Sequence, residues 1–221
     1  MPEAIKIVYE NDILAVVEKP AGMVCQPAPG IVELLAAQDS RFFHAVSVSR
    51  LDRDTSGLLT LAWRPDLHEQ VESSILEKHY LALVAGKPEQ ESGSICERLP
   101  QLGDDNKTLL HLPSQYARTD FEVLQRFRML TLLKVSIHTG RKHQIRRHMA
   151  DLGWNIVGDP LYGRRNVNHR AAEELKLERQ FLHACELKLA FRGESVISVK
   201  SDLPDDLSCA IGTLALNAGN N

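Results

Sequence analysis

Apolar and polar positions alternate in short blocks along most of the chain. Ile5-Lys6-Ile7-Val8-Tyr9, then Glu10-Asn11-Asp12, then Ile13-Leu14-Ala15-Val16-Val17-Glu18 predict a strand, a turn and a second strand. Lys19-Pro20-Ala21-Gly22 ends that pair, since Pro lacks a backbone donor and Gly favours a turn, and Gln26-Pro27-Ala28-Pro29-Gly30 predicts a loop. Val46 to Ala62 has a polar centre, Arg50 to Gly57, and closes on Leu58-Leu59-Thr60-Leu61-Ala62, a loop running into a buried strand. Further strands are expected at Tyr80 to Gly86, at Phe121 to Phe127 paired with Met129 to His138, and at Leu182 to Phe191. The last of these is joined to Ser195 to Lys200 by the turn Arg192-Gly193-Glu194. Gln90 to Ser114 is polar and weakly patterned, a hairpin excursion with loops.

Two segments carry helical spacing. Pro65 to Lys78 starts with a helix-compatible Pro and repeats Leu67, Val71 and Ile75 every four residues. Thr139 to Leu152 puts Ile145, Met149 and Leu152 on one face, with Gly153 as the cap. Leu161 to Gln180 is part loop and part helix, and a short helix follows Asp202 before a tail that frays from about residue 216. Strands outnumber helices and pair as hairpins. This predicts an α+β fold, one domain over residues 1–221 with a mainly antiparallel, mixed sheet flanked by helices and loops.

Composition narrows the function. Of 221 residues, 43% are hydrophobic and 25% charged, so the chain is not disordered as a whole. Aromatics are 5%, so a functional Tyr must be sought singly. A net charge of -3 excludes a uniformly basic nucleic-acid binder, and basic residues must then be concentrated locally. Cys25, Cys96, Cys185 and Cys209 are far apart and form no C-x-x-C pair. The start carries no secretory pattern and no run approaches the ~18 apolar residues of a membrane span, so a cytoplasmic protein without membrane partners is expected.

Two polar clusters could carry chemistry. In Ser49-Arg50-Leu51-Asp52-Arg53-Asp54-Thr55-Ser56-Gly57, a calcium loop fits Asp52, Asp54, Ser56 and Gly57 but fails where Trp63 replaces the closing Glu. Asp54 to Gly57 reads as a polar turn. Asp52, beside Leu51 and a buried strand, reads as a half-buried carboxylate paired to an arginine, hence ionised and a candidate nucleophile. The second cluster is His138-Thr139-Gly140-Arg141-Lys142-His143-Gln144-Ile145-Arg146-Arg147-His148. From Arg126 to His148 there are seven Lys/Arg and no acid, a local +7 suited to phosphates. Arg164, Arg165, His169 and Arg170 follow. His143 and His148 are five apart, roughly 140° around a helix, which does not suit a metal.

These segments resemble the RluA-type RNA pseudouridine synthases. Arg50-Leu51-Asp52 with Thr55-Ser56-Gly57-Leu58-Leu59 resembles that family's H-R-L-D-x-x-T-S-G-L-L, and Lys78-His79-Tyr80 its K-x-Y. Thr139 to His148, then Gly153, Gly158-Asp159 and Tyr162-Gly163, resembles T-G-R-x-H-Q-I-R-x-H…G-x-x-I-x-G-D-x-x-Y-G. Lys19-Pro20-Ala21-Gly22, Ala117-x-Thr119 and Leu182-His183-Ala184 match shorter landmarks in the same order. Two positions depart: Ser49 stands where the family usually has His, and Cys25-Gln26-Pro27 replaces x-His-Pro. Some relatives carry an S4-like RNA-binding domain, and no such domain is expected ahead of Ile5.

The resemblance implies isomerisation of uridine to pseudouridine in large-subunit rRNA or tRNA, in a cleft across the sheet, by a monomer with RNA as its partner. The base is detached, turned and rejoined through carbon, and no nucleotide or metal cofactor is implied. Asp52 would be the essential carboxylate, by attack on the ribose, attack on the base, or elimination. Arg146 would pair with it and keep it ionised. Tyr80 would stack on the base and serve proton transfer. The uridine must be flipped out, and Arg50 would fill its place. Arg53, Arg141, Lys142, His143, Arg147, Arg164 and Arg165 would contact RNA. His183, beside an apolar strand, is expected to be structural. The rival readings are a non-catalytic RNA-binding protein on the same fold and a metal-dependent nuclease using Asp52 and Asp54.

Overall fold

A computed structural model describes residues 4–25, 29–191 and 195–219. The chain runs β1 (Ile7–Glu10), β2 (Leu14–Lys19), α1 (Ile31–Gln38), β3 (Val46–Ser47), β4 (Ser56–Ala62), α2 (His68–Ser74), β5 (Ile75–Ala85) and β6 (Ser92–Leu99). It continues through β7 (Gln115–Arg126), β8 (Leu130–Ile137), α3 (Gln144–Asp151), β9 (Asn155–Ile156), α4 (Arg165–Leu175), β10 (Leu182–Leu189), β11 (Ile197–Lys200) and α5 (Asp205–Gly219). The expected α+β class and mostly antiparallel pairing hold; β4 and β10 are parallel.

The residues pack as two compact units, one of Met1–His79 with His183–Leu203, the other of Tyr80–Leu182 with Pro204–Asn221. In the first, the strand order is β1-β2-β4-β10, with β3 on β4 and β11 on β10. Its core joins Leu14, Val16, Leu58, Ala62, Val71, Leu187, Leu189 and Val199. Each Leu or Val side chain taken out of water there contributes about 1.5–3 kcal/mol. Leu67 and Ile75 pack against this cluster beside buried Val71, as their four-residue spacing predicts. In the second unit the order is β5-β8-β7-β6, with β9 on β5. Ile145 and Met149 of α3 are buried there, and Phe121 meets Trp154 edge-on at 5.2 Å.

Several boundaries differ from the sequence expectation. The first of the two expected helices, α2, opens with a 3-10 turn at Pro65–Leu67 and stops at Ser74, not Lys78. Ile75 is extended, and the chain beyond it pairs in the sheet: Ala190 N–H bonds the Ser74 carbonyl, and Lys188 pairs with Glu77. Sheet pairing thus overrides a helix-compatible pattern. The second helix starts at Gln144, not Thr139, because His143 takes left-handed angles. Leu152 caps that helix in an exposed position and does not share the buried face. Gly153, at φ +74, ends it as expected. Strand β7 begins at Gln115, ahead of the expected Phe121. The final helix continues to Gly219, through the residues expected to fray, with Leu207 and Ala210 buried. The expected turn at 192–194 and most of the 26–30 loop lie outside the described residues.

Candidate active site

In the first unit, Asp52 sits half-buried in a tight turn in which its carbonyl accepts the Thr55 N–H at 3.1 Å. Its two neighbours are held by the last residue of β2 and the segment that follows it. Lys19 is fully buried, and its Nζ donates to the carbonyls of Pro20, Met23 and Arg53 at 2.7, 2.8 and 3.0 Å. The Gly22 N–H also bonds the Arg53 carbonyl, and Arg53 Nε returns a bond to Gly22. On the other side, the Cys25 thiol lies 3.4 Å from both the N–H and the carbonyl of Leu51, accepting from one and donating to the other. Burial pushes this thiol up from its ordinary pKa, which keeps its proton in place as a donor. Arg50 and Arg53 are exposed.

The chain leaving the turn is fixed as closely. The Ser49 hydroxyl accepts the Thr60 N–H at 3.1 Å, so the residue standing for the family's His ties the turn's entrance to β4. Gly57, at φ +112, faces the Ala184 backbone: an added Cβ would lie 2.2 Å from the Ala184 carbonyl oxygen. That approach forms the parallel pairing of Ser56 with His183 and Gly57 with Ala184. His183 is buried, with Nδ1 2.9 Å from the Ser56 hydroxyl and Nε2 3.3 Å from the Ser201 carbonyl. A carbonyl can only accept, so Nε2 carries the proton and Nδ1 accepts from Ser56, which engages both ring nitrogens within the protein.

In the second unit, Tyr80 lies in β5 with 6% of its surface exposed. Arg146 projects from α3, equally buried, and donates through Nε and Nη2 to Asp159 Oδ2 and Oδ1 at 2.7 and 2.9 Å. Asp159 is fully buried and its Oδ1 also accepts the N–H groups of Leu161 and Tyr162. Burial alone would raise its pKa; the bonds and charge of Arg146 and the two N–H groups outweigh this and hold it below the usual carboxylate range. The Tyr162 ring lies 5.1 Å from the Arg146 guanidinium carbon, and its hydroxyl lies 3.1 Å from His143 Nδ1. Gln144, buried, binds back to β7 through Arg118 and Thr119 and receives the Thr139 hydroxyl and Arg141 N–H. This sets the angle at which α3 leaves the preceding turn.

The basic residues expected to meet RNA are not a uniform patch. Arg126 is paired with Glu91 at 2.6 Å and Arg146 with Asp159, which reduces the sequence-level +7. The acids come from segments distant in sequence, so a local count could not include them. Arg141 donates to the Tyr116 carbonyl, Lys142 to that of Gly103 and Arg147 to that of Pro100. Lys142 and Arg147 thus brace the excursion between β6 and β7, Arg141 holds the start of β7, and all three keep exposed surface. Arg164 bonds Asn155 and Gly153, and Arg165 opens α4 in an exposed position. Asp159, Tyr162, Lys19 and Gln144 stood in the matched motifs, but nothing in local spacing showed their partners.

A sequence profile described as RNA pseudouridylate synthase matches residues 13–151. The chain belongs to this family. Among curated relatives, a ribosomal large subunit pseudouridine synthase D of Nitrosomonas europaea is 36% identical over 94% of this chain. An uncharacterized RNA pseudouridine synthase of Chloroflexus aurantiacus is 38% identical over 89%. The chain spans 64% and 65% of those relatives' own lengths. The structure called human RNA pseudouridylate synthase domain containing 4 shares the fold, with a TM-score of 0.73, 24% identity, and coverage of 95% of this chain and 92% of that one. The matched span contains Asp52, Tyr80 and Arg146. Among the described residues, no helix is long and apolar enough to cross a membrane.

Proposed function

We propose that this chain isomerises uridine to pseudouridine within RNA, with Asp52 as the essential carboxylate. The observation that carries this reading is the family match across residues 13–151, a span that contains Asp52, Tyr80 and Arg146. The likeness to a ribosomal large subunit pseudouridine synthase D favours large-subunit rRNA as the substrate over tRNA. The glycosidic bond of the target uridine breaks, the uracil turns, and a carbon–carbon bond to the same ribose forms, so the reaction needs neither hydrolysis nor redox change.

A paired base cannot enter such a site and must be flipped out, at about a few kcal/mol. Arg50, exposed beside Asp52, fills the vacated place with its flat guanidinium, which stacks and bonds phosphate in a way Lys does not. Tyr80 offers its ring to the flipped base and its hydroxyl to proton transfer. Arg146 supplies positive charge to the reaction. Arg53, Arg141, Lys142, His143, Arg147, Arg164 and Arg165 contact the phosphate backbone with the polar capacity left after their contacts within the protein.

The test compares wild type with Asp52→Asn on in vitro-transcribed, unmodified large-subunit rRNA, reading pseudouridine by position. Wild type converts a defined uridine without change in RNA length, and the Asn variant binds RNA with unchanged affinity but converts nothing. Full turnover by the variant overturns the role of Asp52. Shortened RNA from wild type overturns the reaction class in favour of a nuclease.

A further inference from the structure

Arg146 is held in two independent ways within its own unit. Its edge is taken by Asp159 through two parallel N–H···O bonds of 2.7 and 2.9 Å, the fork geometry only a guanidinium offers. Its guanidinium carbon lies over the Tyr162 ring, 5.1 Å from the ring centroid, within reach of a cation–π contact. Both partners are themselves fixed. Asp159 accepts the Leu161 and Tyr162 N–H groups through Oδ1, and its backbone carbonyl accepts the Gly163 N–H and Asn168 Nδ2. Asn168, in α4, completes the clasp by accepting the Gly158 N–H at 2.9 Å. Tyr162 is anchored at its hydroxyl by His143 Nδ1, 3.1 Å away, and His143 reaches it from left-handed backbone at φ 57. A non-glycine residue rarely takes this conformation, and here it is held next to the group it orients.

A buried ion pair needs no aromatic face to be satisfied. The carboxylate sets the plane of the guanidinium, and the ring removes its freedom to tilt out of that plane. We propose that Asp159 and Tyr162 are positioning residues that preset the plane of Arg146 before RNA arrives, with His143 locking Tyr162. This inference rests on the catalytic role given to Arg146 above. It assigns His143 a part in that lock besides RNA contact. A site that must stabilise charge gains most when its charged group does not reorganise during the reaction.

The experiment is a double-mutant cycle on the full chain, using Tyr162→Leu, Tyr162→Phe and Arg146→Lys. Single-turnover rate and RNA affinity are measured on in vitro-transcribed large-subunit rRNA, and melting temperature on the protein alone. Tyr162→Leu lowers the rate roughly ten- to hundredfold, the scale set by small misplacement of a reacting group, while RNA affinity stays within about twofold. Tyr162→Phe keeps the ring and loses only the His143 bond, so its loss is smaller. In the Arg146→Lys background, Tyr162→Leu costs nothing more, because Lys has neither fork nor flat face to orient. Equal rate losses in both backgrounds overturn the proposal and leave Tyr162 as packing.

A readout without activity separates the two levels. In RNA-free protein carrying 15N-labelled arginine, the Arg146 Nε–H exchanges slowly with water, and at least tenfold faster in Tyr162→Leu. Unchanged exchange overturns the positioning role even if the enzyme is active. Slow exchange in wild type that the variant loses, in a protein that modifies no uridine, supports the preset geometry and overturns the function it was assigned to serve.

Discussion

Replacing Gly57 by Ala tests the link between the Asp52 turn and β10. An Ala Cβ at this position would lie 2.2 Å from the Ala184 oxygen, 2.7 Å from its nitrogen and 2.8 Å from its carbonyl carbon. All three are backbone atoms in a paired strand, so none can swing aside. Gly57 also has φ +112, where a side chain strains the backbone by about 1–3 kcal/mol. Forcing the strands apart adds about 1–3 kcal/mol more, as overpacking of a filled interior does. The sum is about 4 kcal/mol, or a fall of about 12 °C in Tm at roughly 3 °C per kcal/mol for a chain of this size. Gly22 is the control: its φ is +83, but nothing lies within 4 Å of an added Cβ. Gly22→Ala therefore loses only the backbone term, about 1–2 kcal/mol. Thermal and urea melts of both variants decide the matter. A Gly57→Ala protein melting within 2 °C of wild type, or no lower than Gly22→Ala, refutes the claim that this approach governs the β4–β10 pairing.

His148 gives a pH dependence with a defined sign. It is fully buried, its Nδ1 lies 2.9 Å from the Thr119 hydroxyl, and its Nε2 has no hydrogen-bond partner among the described residues. Burial pushes its pKa down, against Asp151 and Glu97, which raise it, and with Arg147, which adds to the fall. Above the ordinary value of about 6.5 neither folded nor unfolded chain is protonated here, and the native imidazole contributes in full. As pH falls below that value the unfolded chain takes up a proton before the folded one, and stability declines until the folded group titrates too, by up to about 1.4 kcal/mol per pH unit. Urea melts from pH 7.5 to 5.5 should thus show a steeper loss for wild type than for His148→Phe, and parallel losses would remove His148 as the cause. Tyr80→Phe should bind RNA as wild type does but fail to complete pseudouridine, whereas Tyr80→Ala should also lose roughly 1–3 kcal/mol of binding if the base stacks on the ring; a fully active Phe variant, judged by single-turnover rate, would leave Tyr80 as a packing residue.

Legibility followed the range of the interaction. The hairpins of β1 with β2 and of β7 with β8 are nearest neighbours in sequence, and their alternation showed them. The four-residue spacing around Val71 marked a helix, but its end at Ser74 depends on strand pairing more than a hundred residues away, at Ala190. Likewise, the basic count from Arg126 to His148 could not register Glu91 or Asp159, the acids that neutralise Arg126 and Arg146. Asp52, Tyr80 and Arg146 were picked out by residue type within long motifs. Their holders were not, because Lys19 acts through its burial against three carbonyls, and burial of a lysine leaves no local trace.

The two departures from the family's pattern separate what the motif needs for chemistry from what it needs for support. Ser49 replaces a His, yet its hydroxyl still accepts the Thr60 N–H and so closes the turn onto β4. Cys25 stands in the altered Cys25-Gln26-Pro27 stretch, and its thiol satisfies both backbone groups of Leu51, the residue before Asp52. Leu51 is buried, and an unmet N–H or carbonyl there would cost about 1–3 kcal/mol, so some polar atom has to stand at that place. The support around Asp52 is thus a set of backbone bonds that a thiol, an ammonium and a hydroxyl can each supply. In the function proposed for Asp52 a carboxylate has no such substitute. If that proposal holds, replacing a side chain that holds the turn by another that bonds the same backbone groups costs far less activity than replacing Asp52.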